Sequence, residues 1–599
     1  MGQTDIDNSY PSATSDTDVE KVEDKACHDS LRQRDDHDPN LVEFVPNDPE
    51  NPFNWTRMRK WSILMPLTIA NFSCLWIASG YSPAIPEFQA RFGTSSEVAT
   101  LPLAIYVIGL GFGPMLLAPL SEYYGRTPVY LANFFITTIL LLGTALVDNV
   151  PGFIILRFIT GFFASASITN IGGTIADMYH HEHTGMPLAI YTITSAGGSA
   201  SGVFVFSFIA QLHGLQSVLW GMCGATGGFF LLLCISLKET RHSVLLRRRA
   251  ARLRKQTGNQ DLDVPPDMRT QPATQVFATA LTRPFHLLFT EPVILFTAAY
   301  NGYLFGIAFL FNGAFSIVFS DGYGFNTIQT GLANLGICVG ALLGPVTHIW
   351  QERYYLRKII AADGTIKNVP EARVQLSIIG AIVFPISLFW FGWSAQPGSI
   401  HWIVPIIASV FYGWSFYTII QMTFMYIEDT YKVYAASALA GVCFARNIIG
   451  GVFPLFGTQM FNSLGVQWAT SVLGFAAILL MPIPYVLSRW GRGLRIRSPW
   501  ARIHMDDLVP IDPPDIPLQF IVFFPLEFIR DIIKAYPGDF LANFVKAQAG
   551  AKLNTSDNPY FVLWMESWTN DAIGSLHVHY CQSLPYPPST INSFSRNFI

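Results

Sequence analysis

The chain has 599 residues, of which 51% are hydrophobic and 14% aromatic, while 13% are charged and the formal net charge is −4. A soluble domain typically carries about 25% charged residues, so this composition excludes an ordinary water-soluble enzyme and indicates a membrane protein. The basic residues stand at particular loops and are not pooled in one domain, which speaks against nucleic acid as a partner. Cys74, Cys223, Cys234, Cys338 and Cys443 lie inside apolar runs without paired spacing, so neither a disulfide framework nor a metal site is indicated.

In chain order, residues 1–56 begin polar, acidic and Ser-rich (SATSDTDVEKVEDKACHDSLRQRDDHD) and are expected to form a disordered cytoplasmic tail. No apolar stretch with a cleavage site precedes them, so no secretory signal peptide is expected. After NPFNWTRMRKW the chain turns apolar, and about twelve segments are long enough to cross a hydrocarbon core of roughly 30 Å. In the first half (57–237) they lie near 61–81, 100–120, 129–147, 152–175, 188–209 and 218–237. A basic central loop, 238–290, follows. In the second half (291–488) the spans lie near 293–317, 328–350, 374–394, 402–426, 436–461 and 468–487, and residues 489–599 form a C-terminal tail.

Lysine and arginine set the expected orientation. Arg57, Arg59, Lys60, Arg126, the cluster Lys238 to Lys255, Arg353, Arg357, Lys358, Lys367, Arg373, Lys432, Arg489, Arg492, Arg495 and Arg497 all fall on one side, against Arg91 on the other. The positive-inside rule then places both termini and the central loop in the cytoplasm.

Glycines four apart approach a proline in corresponding helices of the two halves: Gly109 and Gly113 before Pro119, and Gly336, Gly340 and Gly344 before Pro345. Such spacing permits close helix contact, and internal repeats of this kind mark secondary transporters. The stretch GPMLLAPLSEYYGRTP, Gly113 to Pro128, resembles the loop between helices two and three of the major facilitator superfamily. LRFITGFFASA, with Arg157 and Gly161, resembles the helix-four motif of its drug:proton antiporters. NPFNWTRMRKW, KETRHSVLLRRRAARLRKQTG, RPFHLLFTEP and ARNIIGGVFPLFGTQMFNSLGVQWATSVLGF are together similar to the fungal twelve-helix multidrug and polyamine branch. The resemblance implies an all-α membrane fold of two pseudo-symmetric six-helix bundles, with substrate handled between them.

Arg157 and Arg446 each stand inside an apolar helix, where a charge costs roughly 2.5–3.5 kcal/mol, so each should face a partner or an aqueous cavity. Two roles stay open for them: tying helices together, or taking part in proton coupling or substrate binding. The resemblance raises Arg157 above Arg446. It also implies that Glu122, Arg126 and Asp177 form a charge cluster that breaks as the halves rock. For substrate, Asn301, Phe305, Ala308 and Asn312 share one face of helix seven, and Gly413, Tyr417 and Gln421 share one of helix ten. Asn301, Asn312, Tyr417, Gln421 and Asn170 are the candidate substrate contacts. No acidic residue stands near the middle of a helix, which disfavours a polyamine and favours neutral or amphipathic organic compounds.

Two departures matter. Helix five reads TSAGGSASGVF where the antiporter type has a Gly-Pro-rich motif, and the loop before it reads HHEHTGMP, leaving His180, His181 and His183 around Glu182. That histidine cluster reads as a solvated loop, with pH sensing or metal binding as the rival. The tail after Arg502 carries an apolar run broken by Pro525, Glu527 and Arg530, and reads either as a misread gene boundary or as a genuine extension. With no nucleotide-binding glycine loop and no catalytic constellation, no cofactor and no enzymatic activity are expected. The expected function is proton-coupled export of small organic molecules by a monomer in the plasma membrane. Nutrient symport and a non-transporting receptor remain as alternatives.

Overall fold

The computed structural model describes residues 40–180, 183–268, 272–359 and 369–503. The expectations for residues 1–39, His181, Glu182, Lys367 and the tail from 504 onward lie outside the described residues.

The first helix, α1 (Arg57–Ser79), starts where the Thr56 hydroxyl accepts a hydrogen bond from the Arg59 amide at 3.4 Å. Ser95 and Asn149 cap α2 (Ser96–Tyr124) and α4 (Val150–Ala164) in the same way. These caps satisfy amide donors that a helix start leaves open. Gly125 alone, at φ 107°, joins α2 to α3 (Arg126–Leu146). After α4 the chain continues through Ser165 into α5 (Ala166–Met178).

Two long helices contain hidden turns. In α6 (Gly185–Ser236) the chain reverses at Gly214, φ 75°, and in α13 (Ala435–Leu480) at Gly465, φ 75°. A left-handed backbone is open to glycine and costs other L-residues roughly 1–2 kcal/mol. The other helices of the second half are α9 (Pro292–Phe315), α10 (Thr327–Ile359), α11 (Gln375–Ser394), α12 (Ile403–Tyr431) and α14 (Pro482–Arg497). Among the described residues nine continuous apolar stretches are long enough to cross a membrane, and the turns inside α6 and along Ile403–Arg497 give them twelve crossings.

The two halves repeat each other's packing. A Cβ at Gly451 would lie 2.7 Å from the Ala104 carbonyl oxygen, so α13 and α2 run backbone to backbone across the junction. On the other flank the Cys338 thiol of α10 donates to the Gly197 carbonyl of α6 at 3.1 Å. Small residues replace bulk at such contacts because lipid gives helices no hydrophobic reason to associate, so tight packing must do so. The outer surface is apolar, with Phe135, Ile155, Leu342, Val346 and Leu479 all exposed.

The segment between the halves is more ordered than the basic loop expected from the sequence. It forms α7 (His242–Thr257) and α8 (Ala273–Thr290), the latter packing Phe285 on Phe444 of α13 with ring centroids 5.1 Å apart. The expected disorder of the N-terminal tail also fails from residue 40 onward. The Val42 amide donates to the Asp263 carbonyl at 2.8 Å, Val42 packs with Leu246, Ala250 and Val264, and Asp48 and Glu50 pair with Arg249 and Arg252. Composition concealed this because the acids that mark a solvated tail meet a basic helix here. α7, Arg126, Arg373 and Arg495 share one face of the molecule, the basic face.

Candidate functional site: paired charge clusters and two buried arginines

Glu122, Arg126 and Asp177, remote in sequence, meet on the basic face. Arg126 is the first residue of α3 and is buried, and its Nε donates to Asp177 at 3.1 Å while Nη1 donates to the Ser121 hydroxyl at 2.7 Å. Glu122 stands one turn before Arg126 at 4.0 Å, and Arg241 reaches Asp177 at 3.3 Å and Glu122 at 4.0 Å. Glu239 completes the cluster. Its carboxylate accepts from the backbone amides of Arg126 at 2.9 Å, Thr127 at 3.3 Å and Arg241 at 3.0 Å, capping α3 from behind α6. An anion at a helix N-terminus is stabilised by the helix dipole and by the open amides. Glu239 carried no motif-level signal in the sequence; its place emerges only when the end of α6 is brought beside the start of α3.

The second half has its own version. Arg373, just before α11, donates from Nε to Asp429 at 3.0 Å and from Nη1 to Glu352 at 2.6 Å, with its guanidinium 3.2 Å from the centroid of the Tyr355 ring. His348 lies 3.5 Å from Glu352, and Arg495 forks onto Glu371 at 2.7 and 2.8 Å. Burial pulls Arg373 down more than any single neighbour pulls it up, but Asp429, Glu352 and Tyr355 together hold it above the usual arginine range. A buried ion pair recovers its desolvation penalty only with geometry of this quality.

The halves touch each other next to these clusters. A Cβ at Gly185, the first residue of α6, would meet the Glu352 carboxylate, so that acid from the second half sits against a helix start of the first. Deeper along the same seam the Tyr417 hydroxyl donates to the Ala189 carbonyl at 2.8 Å, and Thr192 donates to Gln421. The seam on the basic face is closed.

The candidate substrate residues do not converge on one point. Tyr417 and Gln421 lie in that seam, and they border a cramped void of about 10 Å³ together with His348, Gln351 and Arg373. Asn170 belongs to the charge cluster, where its Oδ1 accepts from Ser121 at 3.0 Å. The Asn301 amide is taken up by the Thr297 carbonyl and the Thr423 hydroxyl, both at 2.8 Å. Asn312 is buried on α9 with its Nδ2 unpaired.

Arg157 and Arg446 are buried to 0% and 1% exposure. Arg157 gives one hydrogen bond, to the Ile77 carbonyl at 2.8 Å, and is enclosed by the rings of Tyr81, Phe153 and Tyr106 at 4.8, 5.5 and 6.0 Å, while Nε and Nη2 have no acceptor. All of these contacts lie within the first half. Arg446, on α13, rests on the Phe305 ring of α9 at 4.1 Å with Nε and Nη1 unpaired.

Comparison with known proteins agrees with this architecture. The family description "Major Facilitator Superfamily" matches residues 67–441. The "Efflux pump FUB11" of Gibberella moniliformis is 34% identical over 468 residues, covering 77% of this chain and 78% of that protein. The "Major facilitator superfamily multidrug transporter mdrA" of Aspergillus fumigatus is 35% identical over 470 residues, covering 78% and 76%. Among solved structures, the proton:xylose symporter XylE shares the fold, with a TM-score of 0.51 at 15% identity, over 72% of this chain and 97% of that one. Matched halves of six crossings, repeated charge clusters, and a family match over most of the spanning region lead to one assignment: the chain belongs to the Major Facilitator Superfamily.

Proposed function

We propose that the protein is a secondary transporter that exports small organic molecules, driven by protons, by alternating access between its two halves. The observation that carries this reading is the repeated buried Arg–Asp pair, Arg126–Asp177 and Arg373–Asp429, standing beside a seam that only the two halves together close. Pairs of this kind hold one arrangement of the halves firmly and are lost in the other, as a two-state element requires. The relative named as an efflux pump, FUB11 at 34% identity, supports the direction of transport. Arg157, enclosed in one half and short of acceptors, suits the coupling step. The basic face is read as cytoplasmic by the positive-inside rule, and the plasma membrane is the proposed location, with a monomer as the working unit.

The test is accumulation of a panel of labelled organic compounds in cells expressing the protein, with the proton gradient intact and then collapsed by an uncoupler. Reduced accumulation that returns to the control level on collapse supports proton-driven export. Raised accumulation that vanishes on collapse supports symport, the reading favoured by the absence of proline from the helix-five stretch TSAGGSASGVF.

A further inference from the structure

Of the two buried arginines that pair with no carboxylate among the described residues, Arg157 and Arg446, one is spoken for and the other is not. Arg157 has a carbonyl partner and faces groups of its own half. Arg446 has no hydrogen-bond acceptor on Nε or Nη1, and no carboxylate lies within ion-pair distance of it among the described residues. It stands eleven residues into α13, about 17 Å along the helix at 1.5 Å per residue, too deep for a side chain to reach the basic face. A guanidinium at that depth without a counter-charge is among the costliest groups a membrane protein can hold.

Its surroundings are those of a shared site. The next residue, Asn447, donates to the Leu110 carbonyl of α2 at 3.5 Å, and a Cβ at Gly450, one turn on, would touch Val107 of α2 at 3.6 Å. Arg446 therefore lies where α13 of the second half packs against α2 of the first. The ring beneath it, Phe305, packs against Phe416 at 5.3 Å and Phe309 at 6.3 Å, which makes an aromatic wall on α9 and α12. The stripe of Asn301, Phe305, Ala308 and Asn312 on α9 meets the arginine through its aromatic member and not through its amides.

Resting on the export reading above, we propose that Arg446 is the anchor for an anionic group of the transported molecule, and that the cargo is an amphipathic aromatic acid. An ionised carboxylate or sulfonate supplies the missing counter-charge and accepts two N–H bonds in the planar fork that arginine presents, while a flat apolar body lies along Phe305, Phe309 and Phe416. A cation is repelled from this position, and a neutral isostere leaves the guanidinium unsatisfied.

The test uses the full-length protein, purified and reconstituted, with naphthalene-2-sulfonate and its uncharged counterpart naphthalene-2-sulfonamide as probes. Wild-type protein is expected to bind the sulfonate at least ~30-fold more tightly, about 2 kcal/mol, and to move it across the vesicle membrane under an imposed pH gradient. Arg446→Gln is expected to bring the affinity ratio close to one, chiefly by weakening sulfonate binding. Arg446→Lys, which keeps a charge but loses the fork, is expected to hold an intermediate ratio and serves if the Gln variant does not fold. Phe305→Leu is expected to weaken both probes while leaving their ratio in place. Equal wild-type affinity for the two probes overturns the proposal, as does an Arg446→Gln variant that weakens both alike. If wild-type protein moves other compounds of the panel but not the sulfonate, the proposal falls and export stands; if it moves no compound at all, export falls as well.

Discussion

Arg126 and Arg373 are counterparts. Each stands at the start of the third crossing of its half, is buried, and donates through Nε to an aspartate at the end of the fourth, at 3.1 Å to Asp177 and 3.0 Å to Asp429. The acids that precede them are equivalent too, Glu122 at the end of α2 and Glu352 towards the end of α10. What differs is the surplus: the first cluster spends Glu239 on capping a helix, whereas the second lends Glu352 to the seam with Gly185.

The Arg373 cluster predicts a double-variant pattern. Arg373→Met removes the cation shared by buried Asp429 and half-buried Glu352 and is expected to destabilise by roughly 3–5 kcal/mol. Adding Asp429→Leu is expected to recover at least half of that loss, since the uncompensated aspartate is removed as well. Melting temperatures of the detergent-solubilised proteins decide it; a double variant less stable than Arg373→Met would show that the pair contributes more than the cost of burying it.

The Gly185 contact predicts a conformational bias. Gly185→Val puts methyl groups where the Glu352 carboxylate sits, so closure on the basic face is disfavoured. Met425→Cys, buried in the seam, is expected to react with a membrane-permeant maleimide several-fold faster in the Gly185→Val background. Unchanged labelling would mean that Glu352 moves aside without opening the seam.

Arg157 offers a separation of stability from transport. A buried arginine with one carbonyl partner contributes little to stability, and apolar replacement of buried charge is often neutral. Arg157→Met is therefore expected to insert and melt as wild type does, while proton-driven transport falls more than 10-fold. Arg157→Ala is expected to spare insertion and lose transport in the same way. Loss of both properties together would mark the residue as a tie between helices.

A pH response is expected at the N-terminal strap, residues 40–56. His242 lies beside Phe53, which stacks on His180 with centroids 4.5 Å apart, and its own ring is 4.6 Å from Phe53. Burial pulls the His242 imidazole below its ordinary value of 6.5; Asp177 pulls it up, and Arg241 and His180 pull it down again. The neutral ring is the one the fold prefers, so its contribution is complete above pH 6.5 and is lost as the pH falls through the lowered folded value. The protection factors of the amides of residues 40–56, with the intrinsic slowing of exchange at lower pH divided out, are expected to fall several-fold from pH 7.5 to pH 5, and His242→Phe is expected to remove most of that change. An undiminished response in the variant would assign it to other groups.

How much of this was legible in the sequence depended on the range of the interaction. Crossings could be read because each is a local run of apolar residues, and the Gly113 to Pro128 stretch identified one corner of the first cluster. Its mate could not be read: nothing near Arg373 in sequence marks Glu352 or Asp429 as partners, since they are 21 and 56 residues away and meet only in the packed bundle. Substrate candidates chosen by helical periodicity share a face, but Asn301 and Gln421 spend their amides on neighbours in the fold. Periodicity reports which side of a helix a residue is on, not whether a partner is waiting there.

The strap also bears on biosynthesis. Residues 40–50 are clasped by α7 and by Asp263, all of which belong to the first 263 positions of the chain. The nascent first half therefore holds every partner of its own clasp before α9 is made, and it can fold as a unit during translation while the second half is still being synthesised. Through Asp48 and Glu50, Arg249 and Arg252 of α7 become the fastening of a finished bundle.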